Sequence, residues 1–470
     1  MAQRRGRRLR RNIGILGNFA FGYADVAEGI YFTLGLVIIY AGAAATFAYL
    51  FATIAYVLTA LCYAELASLY HVAGGAFVYA RRAFGRNVGF LAAWALLLDY
   101  VVTTAISALA AVGYLGYFIP GLDSPLVIGL ATAAAIILLM GVNIFGISES
   151  AKFSYFLVLF NLAGIALVLI AGYLFSFKSG FNTIHFGTSP TYPNFLYAIT
   201  IAMSSYLGIE VISQSAGETR RPAKNIPRAV FLISAATVIA TLAVSALAVG
   251  VRNVQDFVNN PTSVNDPVAF LALALPNGQI LAALASFLGI SVLLVASNAG
   301  IVGASRITYA MSEDGAIPRI FGRLHKKHNT PFISIIIFSA VSVAIAFSGQ
   351  LDLVAQLYNF GALLAYVIVG LSLISLRNSD RALFRPFKTP GSITIKPFWR
   401  KNRTGTEDRY VVPIIGVLCV VADLTVWFLV VILHPLGRIF GSAWMGLGLL
   451  IFFAYTRIRK EPAAPKASLA

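Results

Sequence analysis

The stretch GYADVAEGIYF, Gly22–Phe32, decides how this chain is read. It sits inside an apolar run from Ile13 to Tyr40. At 1.5 Å per residue that run is long enough to cross ~30 Å of hydrocarbon. It nevertheless carries two carboxylates, Asp25 and Glu28. A charge at the centre of a membrane helix costs about 2.5–3.5 kcal/mol on insertion scales, so acids at such depth are functional candidates by default.

The rest of the chain agrees with a membrane setting. Hydrophobic residues make up 59% of the 470 positions, charged residues 11%, and the mean hydropathy is +0.82. A soluble domain carries about 25% charged residues. Apolar blocks recur at 13–40, 43–70, 88–118, 125–146, 153–177, 194–216, 229–251, 278–305, 332–349, 352–376, 411–433 and 436–456, which predicts twelve transmembrane helices in an all-α polytopic membrane protein.

The net charge of +17 raises the question of a nucleic-acid partner, and its placement answers it. With the N-terminus inside and the spans alternating, only Lys178, Arg252 and Arg438 of the 35 basic residues fall outside. That asymmetry is the positive-inside rule. RRGRRLRR, Arg4–Arg11, therefore reads as an orientation anchor beside anionic membrane lipid, and a nucleic-acid partner is not expected. The expected setting is the cell membrane, multi-pass, with cytoplasmic N- and C-termini. The first apolar run is too long for a signal-peptide core and has no small-residue cleavage site after it, so it reads as a retained helix.

Three parts are expected: a basic head at 1–12, a helical body at 13–456, and a low-complexity tail at 457–470. Cys62 and Cys419 lie in spans far apart and read as packing residues. His71, His185, His325, His328 and His434 lack metal-ligand spacing. No phosphate-binding glycine loop, paired-cysteine motif or Ser/His/Asp arrangement is present, so neither an enzyme nor a cofactor is expected. A membrane receptor or enzyme would need an output domain or a catalytic constellation, and the sequence has neither.

One internal pattern stands out. The first span and the sixth (SSYLGIEV, Ser204–Val211) are both interrupted by glycine and polar residues at mid-depth. They lie five spans apart, and an odd offset puts a second five-helix unit into the membrane from the opposite side. The expectation is an inverted repeat, about 13–177 against 194–376, with two helices (411–456) appended. Matching interruptions in two halves point to a transporter's substrate site. Glycine equally permits close helix packing, and the pattern alone does not separate the two.

Four further stretches carry a family resemblance: YAELASLYHVAGGAFVYARRAFGRNVGFLAAWALLLDY (Tyr63–Tyr100), GETRRPAKNIPRAV (Gly217–Val230), ASNAGIVGASRITYAMSEDGAIPRIFGRLHKKHNTP (Ala296–Pro331) and LYNFGALLAYVIVGLSLISLRNSDRALFRPFKTPG (Leu357–Gly391). Together they resemble the amino acid–polyamine–organocation superfamily of secondary transporters, amino acid permeases in particular. The resemblance implies the LeuT-like five-plus-five fold with broken helices 1 and 6. It also implies a small-molecule substrate, an amino acid or amine, bound between those helices, with a proton or sodium as coupling ion.

Carried onto this sequence, the resemblance makes Ala27, Glu28, Gly29, Ile30, Asp99, Ser204, Ser205, Tyr206, Leu207, Gly208 and Glu210 the substrate-binding set; Asp25, three residues before Glu28 and on the same helical face if the helix persists, joins it or else caps or pairs near the break. It makes Glu28 and Asn161 the coupling candidates. Three departures from the family pattern matter. Glu28 stands where the family has a small residue beside the substrate carboxylate. It selects a ligand whose end there is cationic or neutral, as in a polyamine, an amine or a basic amino acid, or it takes part in coupling as a protonatable group, or it turns away onto a polar neighbour. Asn161 stands where some proton-coupled relatives have a lysine, and an amide cannot cycle a proton, so sodium coupling and exchange stay open; Lys152 reads as an interface residue. Ser204 replaces the usual aromatic gate, leaving Tyr206 either as its substitute or as a packing residue. Asp99 matches an acid near the bound ammonium in cationic amino acid permeases. Glu210 matches an acid that helps hold the broken helix, and Asp423 reads as a packing or oligomer-face residue.

Overall fold

The computed structural model describes residues 13–71, 74–119, 121–122, 124–145, 151–179, 191–260, 262–395 and 409–458. The basic head at 1–12, the tail beyond 458 and the side chain of Lys152 lie outside the described residues.

Helix dominates because nearly every segment is an apolar run whose main-chain groups find no water in hydrocarbon and must pair internally. The first leg is α1 (Ile15–Ala27) and α2 (Gly29–Ala41), separated by Glu28 alone. A short 3₁₀ turn at Gly42–Ala44 leads into α3 (Ala45–Leu69). Next come α4 (Gly75–Phe84), α5 (Arg86–Leu115), α6 (Pro125–Phe145) and α7 (Ala151–Ser179). The interrupted α8 (Tyr192–Met203) and α9 (Val211–Ser215) follow, then α10 (Pro222–Val251). Three short helices, α11 (Val254–Asn259), α12 (Thr262–Asn265) and α13 (Pro267–Ala272), precede the long α14 (Gly278–Glu313). The chain continues through α15 (Phe332–Ala346), α16 (Leu351–Ser379), a small antiparallel pair β1 (Ser392–Ile395) and β2 (Tyr410–Pro413), and ends with α17 (Ile414–Leu433) and α18 (Pro435–Ile458).

Ten stretches among the described residues are long and apolar enough to cross a bilayer. Set against the twelve apolar blocks, two features account for the difference. The stretch Ile15–Leu69 is continuous by length and contains the turn at Gly42–Ala44. The 15 residues of α15 rise only about 22 Å at 1.5 Å per residue.

Burial separates a central group from a peripheral one. The apolar window of α5 is wholly buried and those of α8–α9 and α16 are 78% buried, whereas those of α17 and α18 are 28% and 17% buried. Helix α5 is the hub: α14, α16, α4 and α15 all pack on it, while α3 packs on α10 and α16 on α17. Leu418, Val421, Phe428, Ile432 and Leu450 project outward from the last two helices, as lipid-facing residues do.

At one end of the bundle α4 bridges neighbours through charge. Arg81 and Arg86 pair with Asp314 just past α14, and Arg82 pairs with Asp380 just past α16 at 2.5 Å. Nearby, buried Glu65 receives Arg377 Nε at 2.8 Å, Arg385 at 2.9 Å and the Thr389 amide at 2.7 Å. This fully hydrogen-bonded acid fixes the end of α3 to the end of α16. Cys62 and Cys419, remote in sequence, come close between α3 and α17 and are both free. Asp423 is buried on that same seam, where Thr59 donates to it at 2.7 Å, so it is a packing residue and not part of an outer face.

Candidate functional site

The two interrupted helices cross where each is interrupted. A Cβ on Gly29 would fall on the Cα of Ser205, and one on Gly208 would come within 2.7 Å of Asp25 Oδ2 and 2.9 Å of the Asp25 carbonyl carbon. Only glycine permits either approach. At the second interruption the chain passes from α8 into a 3₁₀ turn (Ser204–Tyr206). It then runs extended at Leu207 (φ −74°, ψ 158°), turns at Gly208 (φ +109°), and resumes helix at Val211. A positive φ of this size is accessible to glycine at no steric cost.

Side-chain hydroxyls lock the crossing. Thr33 Oγ1 donates to the Gly29 carbonyl at 2.9 Å and lies 2.5 Å from Ser205 Oγ and 2.8 Å from the Tyr49 hydroxyl. Ser204 is buried, and its hydroxyl has no partner among the described residues. Ala27, Ile30 and Leu207 are buried beside the crossing.

Four acids gather around this point. Asp25, Glu28, Asp99 and Glu210 are 4%, 1%, 1% and 0% exposed, and they act electrostatically on one another. None is in an ion pair among the described residues. Like charges brought close in a medium of effective dielectric near 20 repel by about 4 kcal/mol at roughly 4 Å, so the four cannot all stay ionised and unpaired at little cost. The region therefore calls for positive charge, from a bound cation or from protons.

The four are not equivalent. Glu210 Oε2 accepts from the Tyr366 hydroxyl at 2.6 Å, and that hydroxyl accepts from the Gly208 amide at 3.3 Å. The amides of Gly208 and Glu210 also face the carboxylate. Glu210 thus closes the second interruption with its own side chain. Glu28 has neither oxygen hydrogen-bonded among the described residues; the hydroxyls of Ser107 on α5 and Tyr358 on α16 face it without completing good geometry. Asp99 faces Glu210 and leaves Oδ1 unpartnered. An unpaired buried carboxylate oxygen is costly; Glu28 bears that cost at both oxygens, Asp99 at Oδ1 and Glu210 at Oε1, while the other oxygen of Glu210 is held by Tyr366.

Two further residues from the sequence reading have defined partners. Tyr206 turns toward α3, where it stacks on Tyr56 (5.0 Å, 21°) with its hydroxyl 2.7 Å from Thr53. Asn161 on α7 donates to the Tyr31 hydroxyl at 2.9 Å and accepts from Tyr23 at 3.5 Å, so it ties together residues on both sides of Glu28. Sequence reasoning missed Tyr358 and Tyr366. Both belong to the tenth-span motif LYNFGALLAY, but no sequence signal places that face against the first and sixth spans.

A polytopic bundle of long apolar helices is the architecture of a multi-pass membrane protein, and acids buried at its centre are the mark of a transport pathway. The chain belongs to the amino acid permease family, whose model matches residues 13–453. It is 25% identical to the branched-chain amino acid permease BcaP of Bacillus subtilis, over 96% of this chain and 94% of that one. It is 27% identical to the methylthioribose transporter of the same organism, over 97% and 95%. It is 28% identical to the low-affinity putrescine importer PlaP of Escherichia coli, over 92% and 90%. The family and these relatives are transporters, not enzymes.

Proposed function

We propose that this chain is a secondary transporter of the cell membrane that carries a cationic amino acid or organic amine by alternating access, coupled to protons. One observation carries the reading: four buried acids, three of them with unpartnered oxygens and Glu28 with both, gather where the first and sixth spans cross, and no basic side chain is paired with them among the described residues. Glu28 and Asp99 hold the ligand's positive end, Asp25 adds field, and the main chain of Ala27–Ile30 and Ser205–Gly208 supplies polar contacts. Twelve spans follow if Ile15–Leu69 crosses twice and α15 once, arranged as two inverted five-helix units plus α17 and α18 with both termini cytoplasmic.

Coupling to protons is favoured over sodium by the packing of α1 against α7 and α14. The cavity there is about 10 Å³, near the volume one water probe needs, and it is lined by Ala24, Leu157, Val158, Val292 and Val295. Hard cations take oxygen ligands, and these side chains offer none. The nearby amide of Asn161 is already engaged by Tyr23 and Tyr31.

The test is a thermal-shift screen of purified protein against amino acids and diamines. Cationic ligands are expected to raise the melting temperature most, and Glu28→Gln is expected to flatten that ranking. Stronger stabilisation of the wild type by neutral amino acids overturns the charge reading. Uptake into vesicles in sodium-free medium under an inward proton gradient tests coupling, and a strict sodium requirement refutes the proton.

A further inference from the structure

The cap formed by α12 and α13 packs on α2 and is hydrogen-bonded to it through the side chain of Tyr114. This residue lies at the end of α5, is fully buried, and hydrogen-bonds in two directions. Its hydroxyl donates to the Tyr31 carbonyl at 2.8 Å, two residues past Gly29. The same oxygen accepts from the Val268 amide at 3.2 Å. Val268 is in the first turn of α13, where main-chain N–H groups have no partner within the helix. The hydroxyl therefore caps α13 while holding α2.

The surroundings fit that role. The Tyr114 ring meets the Tyr31 ring edge-on at 5.7 Å and 70°. On its other side α14 carries Gly289, where a Cβ would come within 3.0 Å of the ring, so the ring is wedged in place. A second contact seats the cap directly on α2: a Cβ on Gly35 would collide with the Ser263 carbonyl. Tyr31 is also the residue that Asn161 holds from α7. A chain of contacts thus runs from Asn161 through Tyr31 and Tyr114 to the cap.

We propose that Tyr114 is a positioning residue that makes α2 and the α12–α13 cap move as one unit when the site opens and closes. It touches no substrate in this reading and acts through Tyr31 on the Glu28–Gly29 interruption. The inference rests on the proposed transport function for its kinetic readout, but its structural readout stands independently.

Tyr114→Phe keeps the ring and deletes both hydrogen bonds. In reconstituted vesicles the variant is expected to lose about tenfold in maximal net uptake, with ligand-induced thermal shifts unchanged, so the turnover rate falls while binding holds. Amide hydrogen exchange is expected to quicken both at residues 262–272 and at residues 29–35. Gly35→Ala, which pushes the cap off α2 by a different contact, should reproduce the pattern. Unchanged uptake by a folded Tyr114→Phe protein, or faster exchange confined to 262–272, overturns the coupling. If no amino acid or amine stabilises the wild type, the transport reading fails, while the exchange result still decides whether cap and α2 are joined.

Discussion

At Glu28 the first interrupted helix leaves α-helical assignment for one residue whose dihedrals stay helical (φ −60°, ψ −33°). Between Met203 and Val211 the second runs through a 3₁₀ turn, an extended residue and a glycine at φ +109°. The first interruption keeps its direction and contributes side-chain charge. The second turns the main chain itself, and its acid is consumed in holding that turn. The same residue type, a buried glutamate, is therefore a candidate ligand group at one interruption and a structural cap at the other.

The glycines test this difference most severely. Gly208→Ala faces a strained positive φ and a clash with Asp25 together, and strain alone is worth about 1–3 kcal/mol. Gly29→Ala keeps ordinary helical dihedrals but meets the main chain of Ser204 and Ser205, most closely at the Ser205 Cα. Both variants should lose transport, and Gly208→Ala should show the lower melting temperature. Equal or reversed melting temperatures would mean that the second interruption is not the more constrained of the two.

Next in size is the pair of glutamates. Glu210→Gln weakens the bonds from Tyr366 and the Gly208 amide, and a hydrogen bond to a charged group contributes about 1.5–3 kcal/mol. Glu28→Gln removes an acid that only the Ser107 and Tyr358 hydroxyls face, without good hydrogen-bond geometry. Differential scanning of the two proteins without ligand should give a lower melting temperature for Glu210→Gln and an equal or higher one for Glu28→Gln. A strong loss of stability in Glu28→Gln would show that its carboxyl is a structural group after all.

Much of this contrast was legible in the sequence, and the illegible part has a physical cause. Span positions follow from apolar run length, which is a local property, and the glycines and acids at mid-depth are visible as composition. What one helix face presents to another is not local. Asp25, Glu28, Asp99 and Glu210 could each be named from sequence, yet the contacts that rank them come from Tyr358 and Tyr366 on α16, about 150 residues beyond Glu210. Tyr206 shows the same limit in reverse. Its spacing allowed a gate, and its contacts put it against Tyr56. The short helices α4 and α11–α13 escaped because their apolar runs are too brief to register as spans.

The cap packed on α2 also carries a titratable group, Asp266. Asp266 lies between α12 and α13, and burial raises its pKa to about 7, with its own amide acting against that. The folded state thus holds this proton at pH values where the unfolded chain, near 3.9, has released it. Its contribution falls as pH rises from about 4 to about 7 and is fully lost above that. Wild type should lose stability across this window, on the order of 1–3 kcal/mol, and Asp266→Asn should lose less. Parallel melting curves for the two proteins from pH 4 to pH 8 would place Asp266 outside the folding equilibrium.

The smallest effect belongs to Tyr206→Phe, and it discriminates because it is small. The substitution removes one hydroxyl that meets Thr53 and leaves the stacking on Tyr56 intact. A single neutral hydrogen bond contributes about 0.5–1.5 kcal/mol, so the melting temperature should drop slightly and ligand ranking should hold. A tyrosine that closed over the substrate would behave otherwise, because the ligand would lose a direct contact and its KM would rise. Measuring KM and melting temperature on the same preparation separates the two, since packing against α3 moves only the second.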